Sequence, residues 1–270
     1  MINRKELNNY FHNVLPAVYG AGEIVMAYIT DNKSSSKKKD GSVVTKADWE
    51  AEKHITNHLK DVSDFPVVGE EAFSEGIADN IEGHEIFWLV DALDGTRAYV
   101  AGKKEFTVNI ALIYQGKPAL GMIYAPAYDE CYYALADAGA YEIIDQNNRD
   151  LDQRLMIEQH KSNDLVITTS SIKPLPEMFE RRFGHAAYQL KSHILHYSSY
   201  KFCLLAKGEA DIYPRFGPIC EWDTAAGHIL VTEAGGQVIS VKTGQEIRYG
   251  RFQNDFYQEA FLAGKKNITI

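Results

Sequence analysis

The stretch Asp91-Ala92-Leu93-Asp94-Gly95-Thr96 sets two carboxylates three positions apart, directly after the apolar run Phe87-Trp88-Leu89-Val90. A buried strand that ends in paired negative charge is costly unless something cationic lies between the charges. Hard divalent ions take carboxylate and carbonyl oxygens, so this turn can offer several ligands by itself. Gly95 lets the backbone come close to a ligand, and free N–H groups at the following turn can hold a phosphate. The competing reading is a surface turn, since Asp-Gly is a common turn dipeptide. The turn alone does not decide between them.

Three other segments carry the same ambiguity. Glu70-Glu71 follows the apolar run Pro66-Val67-Val68-Gly69, where a lone acidic pair would ordinarily be solvated. Asp223 sits in Glu221-Trp222-Asp223-Thr224-Ala225-Ala226-Gly227, and aspartate is a favoured helix N-cap. Thr45-Lys46-Ala47-Asp48 has the pattern of a capping box, with Thr45 as cap and Asp48 reaching back. Each has a bland explanation. Their occurrence together is harder to explain that way.

These residues need elements to position them. Leu7, Phe11, Leu15, Val18, Ile24 and Val25 recur at helical spacing and predict a long first helix, which Pro16 can bend. A polar stretch, 31–42, reads as a loop; its Lys37, Lys38 and Lys39 form a solvated run or attract an anionic substrate. A second helix runs from Thr45 through His58, and buried strands are expected at 66–69 and 87–90, the latter ending at Asp91. The runs 106–114 and 119–126 read as a hairpin across Gln115-Gly116-Lys117, and 131–136 and 140–144 continue that sheet.

Further on, 165–170 reads as a strand, Pro174 to Arg182 as a short helix, Phe202 to Lys207 as a helix and Ala210 to Pro214 as a strand. A last helix runs from about Trp222 to Ala234 and stops at Gly235-Gly236. The polar stretch 146–160 divides an α+β half, residues 1–150 with most of the acidic candidates, from an α/β half, residues 151–270 with Asp223.

A formal charge of −9 and a pI near 5.5 argue against nucleic-acid binding. An acidic chain that handles phosphate must cancel repulsion locally, and a divalent cation is the simplest means. Cys131, Cys203 and Cys220 are far apart, odd in number and without zinc spacing, which reads as reduced packing thiols. The N-terminal stretch reads as an amphipathic helix, not a signal peptide. No run of about 18 apolar residues predicts a membrane span. A cytoplasmic protein is expected, with peripheral contact at the cytoplasmic face of the inner membrane left open.

Residues 40–48 (DGSVVTKAD), 69–71 (GEE), 91–96 (DALDGT) and 222–236 (WDTAAGHILVTEAGG) together resemble, in order, the signatures of the inositol monophosphatase superfamily. FTVNIALI, GMIYAP, SSYKFCLLAKGEADIYPRFGP and EWDTAAGH resemble its bacterial CysQ branch, the 3'(2'),5'-bisphosphate nucleotidases. The resemblance implies a mixed α+β and α/β fold, a layered αβαβα sandwich of the sugar-phosphatase type, working as one catalytic unit. It also implies hydrolysis of the 3'-phosphate of adenosine 3',5'-bisphosphate, in sulfur assimilation or recycling of that nucleotide. The chain departs from the family at Ala92, where proline is usual, and at Tyr197, where many relatives carry glycine before the paired serines.

By resemblance, Glu70, Asp91 and the Leu93 carbonyl hold a first magnesium, and Asp91, Asp94 and Asp223 a second; a third, weaker ion near Glu70 is common in the family. Thr96 and Asp48 form the proton-accepting relay, assisted by Glu70. Glu70, Leu93, Asp94, Gly95, Thr96 and Asp223 surround the phosphate, while Ser199 and Lys201 lie near the nucleotide. For Ser198-Ser199 and Lys201 the alternative is a helix-capping pair and a surface lysine. Tyr213 and Arg215 either meet the ligand or shape a turn before Pro218. His185, His193 and His196 lack paired spacing and are not expected to bind magnesium, which prefers oxygen. The expected partner is a small nucleotide bisphosphate acting on a monomer or homodimer. The rival readings are an inositol-1-phosphate or sugar-phosphate phosphatase with the same metal site, and a non-catalytic nucleotide-binding protein.

Overall fold

Asn3 opens α1 (Arg4–Tyr28) with a capping box: its side chain accepts from Lys5 and Glu6 N–H while Glu6 reaches back to its own N–H. This is a computed structural model, which describes residues 2–29, 36–37, 43–159, 163–171 and 188–268. Pro16 lies within α1, which continues through it. β1 (Ser36–Lys37) pairs with β2 (Val43–Val44), and Thr45 then caps α2 (Lys46–Val62). That helix runs one turn past the expected end at His58.

Next come β3 (Val67–Gly69), α3 (Glu70–Ser74), β4 (Ile86–Asp94), α4 (Thr96–Val100), β5 (Thr107–Tyr114) and β6 (Lys117–Ala125). β7 (Glu130–Leu135), β8 (Gly139–Ile143) and β9 (Gln153–Leu155) complete a seven-stranded sheet in sequential order. β3 is parallel to β4 and the remaining pairs are antiparallel. The β5–β6 turn is tighter than expected: only Gln115 and Gly116, both at positive φ (51° and 73°), join strands that resume at Lys117. Paired positive φ matches the twist of antiparallel strands.

The second sheet, ordered β11-β10-β12-β16-β14, contains β10 (Asp164–Thr169), β11 (Gln189–Leu195), β12 (Ile212–Arg215), β14 (Gln237–Ser240) and β16 (Phe261–Gly264). β13 (Ile219–Cys220) pairs separately with β15 (Tyr257–Gln258). Two helices, α5 (Tyr200–Ala206) and α6 (Ala225–Glu233), lie between the sheets. The layers among the described residues are therefore α1/α2, the first sheet, α5/α6 and the second sheet. The helix expected over Pro174–Arg182 lies outside the described residues, as do Lys38, Lys39 and His185.

Strand alternation aims the chemistry. In β5, Val108, Ile110 and Leu112 join the core under α1 and α2, while Ala111 and Ile113 join the core against α5 and α6. In β4, Trp88 and Val90 face α1 and α2, whereas Phe87 and Leu89 face the other way. Period two then carries Asp91 onto the same side as Phe87 and Leu89, toward α6. Burial on both faces also explains the nearly continuous apolar runs of these strands.

Candidate active site

β4 does not stop at Asp91, as its apolar run suggested; it continues to Asp94 through a bulge. Asp91 pairs with Asn109 and Asp94 with Thr107, so one extra residue is inserted on the β4 side. A bulge re-aims side chains and is common beside active sites. Here the Leu93 N–H bonds back to Asp91 Oδ1 at 3.0 Å, and the Leu93 carbonyl oxygen lies 3.0 Å from Thr96 Oγ1. Gly95 follows at φ 93°, and a Cβ there would stand 2.7 Å from the Glu105 carbonyl oxygen. No other residue fits this turn without strain and collision. The turn opens α4, a helix start of the kind whose first N–H groups have no acceptor inside the helix and can bind an anion.

Glu70 begins α3 at the end of β3, beside β4. Asp223 arrives from the second half, just ahead of α6. Oxygens of Glu70, Asp91 and Asp223 lie within 4.8 Å of one another. Asp94 stands next to this trio, its Oδ2 held at 2.5 Å by both the N–H and the Oγ of Ser199. Burial raises the Asp91 carboxyl well above the usual range, and the charges of Glu70, Asp94 and Asp223 raise it further. The Asp223 carboxyl is raised by the same two causes, burial first and then Asp94 and Glu70.

Asp91 is buried, and its Oδ2 meets no hydrogen-bond donor. An orphaned carboxylate oxygen among mutually repelling carboxylates is a costly arrangement that a cation relieves. The all-oxygen donor set fits a hard divalent ion and lacks the nitrogen or sulfur that softer metals favour. His193 instead bonds Thr169, and His196 stacks on Tyr200 with its pKa lowered by burial to about 4.

Asp223 is not a helix N-cap. Thr224 occupies that position without a side-chain cap bond, and the Asp223 carboxylate accepts from Cys220 N–H at 3.2 Å. The helix starts at Ala225, later than its pattern suggested, after a turn in which Thr224 N–H and Ala225 N–H both donate to the Glu221 carbonyl. Cys220 lies against the cluster, its thiol raised by burial and then by Asp223, Glu70 and Asp91; all three cysteines are free thiols.

Asp48 does two things at once. Its Oδ2 accepts from Thr45 N–H (2.8 Å) and Thr45 Oγ1 (2.6 Å), completing the capping box of α2. Its Oδ1 lies 3.0 Å from Thr96 Oγ1, which is also 3.0 Å from the Leu93 carbonyl oxygen. Burial raises the Asp48 carboxyl, opposed by the bonds from Thr45 and Thr96.

Beside Asp94 and Asp223, a cleft is lined also by Tyr197, Lys201, Tyr213 and Arg215. Lys201 is not a surface residue: it is 3% exposed, and its Nζ donates to the Ser198 and His196 carbonyls at 2.6 and 3.2 Å. Burial lowers its pKa to about 8, against the pull of Asp94. Ser199 Oγ accepts from Asn109 at 3.1 Å and lies 2.8 Å from the Asp223 carbonyl, so it ties β5 to both Asp94 and Asp223. Arg215 donates to the Pro218 carbonyl at 2.6 Å, shaping the turn, and Tyr213 packs beneath Lys201. Asn109 and Glu221 lie within stretches quoted above and Glu52 within none, and no role was anticipated for any of the three. Glu221 is fully buried, holds Gly250 and Arg251 N–H at 2.7 and 2.9 Å, and is pushed up by burial to about 7.

Similarity to known proteins follows the same lines. The model of the inositol monophosphatase family matches residues 9–267. A protein named 3'(2'),5'-bisphosphate nucleotidase CysQ from Salmonella typhimurium is 37% identical over 223 residues, covering 81% of this chain and 85% of that protein. Its namesake from Buchnera aphidicola is 34% identical over 251 residues, covering 90% of each. The crystal structure of CysQ from Bacteroides thetaiotaomicron superposes with a TM-score of 0.79 at 30% identity, covering 95% of this chain and 97% of that one. Fold, acidic cluster and sequence agree: the chain belongs to the inositol monophosphatase family.

Proposed function

We propose that this chain is a magnesium-dependent phosphomonoesterase that cleaves the 3'-phosphate of adenosine 3',5'-bisphosphate, giving AMP and phosphate. One observation carries the reading: Glu70, Asp91 and Asp223 meet, with Asp94 beside them, next to the helix that starts at Gly95. The names of the relatives support the nucleotide. In this reading residues 1–150 supply most of the site, residues 151–270 supply Asp223 and the cleft, and the two act as one unit. Glu70, Asp91 and the Leu93 carbonyl hold one magnesium; Asp91, Asp94 and Asp223 hold a second; a third sits near Glu70. Bound magnesium stabilises charge on the transferring phosphoryl group and lowers the cost of deprotonating water.

The chain's own groups supply the rest. Threonine is too weak a base alone, so as Thr96 Oγ1 takes a proton from the attacking water it passes its own to Asp48, while the departing 3'-oxygen takes a proton from solvent water to give AMP. Glu70 assists. Gly95 and Thr96 N–H groups bind the phosphoryl oxygens and stabilise their added charge. Ser199 keeps Asp94 turned toward the phosphate. Lys201 attracts the second phosphate, which the acidic cluster alone would repel. The reaction runs in the cytoplasm on a small nucleotide rather than a nucleic acid, in a monomer or homodimer. The charge of −9 supports the exclusion of nucleic acid; no helix among the described residues is long and apolar enough to cross a membrane.

Phosphate release from adenosine 3',5'-bisphosphate and myo-inositol 1-phosphate, with and without magnesium, tests this reading. The nucleotide should be hydrolysed faster, and a preference for the inositol phosphate overturns the substrate assignment. Lys201→Met should raise KM for the bisphosphate by about 10- to 100-fold, the worth of a charged hydrogen bond, and leave KM for inositol 1-phosphate within about twofold. In the parent, KM for the bisphosphate should climb as pH passes the lysine's value near 8.

A further inference from the structure

Glu52 lies on α2, is 3% exposed and belongs to none of the motifs discussed above. Its two oxygens accept from Glu71 N–H and Ala72 N–H, each at 2.7 Å. Those are first-turn donors of α3, whose own N-cap, Gly69, supplies no side-chain bond. The cap therefore comes from another helix, as a charge-assisted pair of bonds. The approach is close: a Cβ on Gly69 would lie 2.3 Å from Glu52 Cδ.

Glu70 is the first residue of α3, adjacent to the gripped Glu71, and its carboxylate is one of the converging trio. Glu52 also stands four residues after Asp48, on the same face of α2. One helix face thus grips Thr96 through Asp48 and the turn bearing Glu70 through Glu52. We infer that Glu52 is a positioning residue: by clamping the start of α3 it fixes where Glu70 points, and so sets how tightly the carboxylate cluster binds a divalent cation. The inference rests on the reading that the cluster holds magnesium.

Glu52→Gln keeps size and shape but presents an NH2 to one of the two N–H donors, so one bond is lost. Outer groups that orient metal ligands typically contribute about 10- to 100-fold in metal affinity. Magnesium binding to Glu52→Gln, measured by calorimetry, should weaken at least about tenfold, with kcat at saturating magnesium within about threefold of the parent. In a Glu70→Gln background the same substitution should change magnesium affinity by less than about twofold, because the residue through which it acts is gone. Gly69→Ala, which pushes the Glu52 carboxyl aside, should weaken magnesium in the same direction and serves if Glu52→Gln does not fold. Parental magnesium affinity in a folded Glu52→Gln protein, or an equal loss with and without Glu70, would overturn the positioning role while leaving the phosphatase reading intact. A parent protein that binds no magnesium would overturn both.

Discussion

Replacing Asp91 by asparagine is expected to lower kcat/KM for phosphate release on the order of 10⁴-fold, the several kcal/mol by which metal ions stabilise transferring phosphoryl groups. The substitution is close to isosteric, but it removes the carboxylate that stands between Glu70 and Asp223 and has an oxygen with no donor. The fold should survive. Asp91 is buried among like charges, so a neutral amide relieves repulsion instead of breaking a pair. Without magnesium, the variant should melt at or above the parent's temperature. With magnesium, the parent should gain and the variant should gain little. A fully active Asp91→Asn enzyme removes the shared-carboxylate proposal.

The second large effect couples magnesium to pH. The Asp91 and Asp223 carboxyls are raised well above their ordinary value of 3.8, so the folded protein binds more protons than the unfolded chain from that pH upward. With more protons on the native state, stability falls as pH rises through the raised values. Asp48 and Glu221 are raised too and add to the same trend. A divalent cation binds the deprotonated cluster and cancels its repulsion, competing with protons at low pH. The magnesium-induced rise in melting temperature should therefore be several degrees at about pH 8 and small at about pH 5. Thermal melts at the two pH values, in chelator and in magnesium, check this. A stabilisation as large at pH 5 as at pH 8 would mean that protons and magnesium do not share the site.

What the sequence made legible is mostly local. The capping box at Thr45 and Asp48, the long α1, the β5–β6 hairpin and the Gly95 turn all depend on residues within a few positions of one another. Asp48 shows that a structural and a chemical reading need not exclude each other, because its two oxygens serve different partners. Where two local readings competed at Asp223, the structural one lost. The carboxylate turns toward Cys220 and the cluster, and Thr224 takes the cap position.

The groups that were not legible act across long separations. Glu52 reaches Ala72 from 20 residues away, and on a helix pattern it reads as one more solvated acid. Asn109 is a polar residue in an apolar strand, which signals a buried contact but does not say that Ser199, 90 residues on, receives it. Lys201 opens a short helix and carries no burial signal of its own; α5 is buried along its whole length because it lies between two sheets. The bulge at Ala92-Leu93 was hidden for a related reason: it is defined by the register against Asn109 and Thr107, not by its own residues.

Crystals soaked in manganese, with anomalous scattering collected at its absorption edge, test the central proposal most directly. The strongest peak should lie within bonding distance of Asp91 Oδ2 and of Glu70 or Asp223, and it should vanish in Asp91→Asn. Manganese that supports turnover yet produces no peak at these carboxylates would contradict the account.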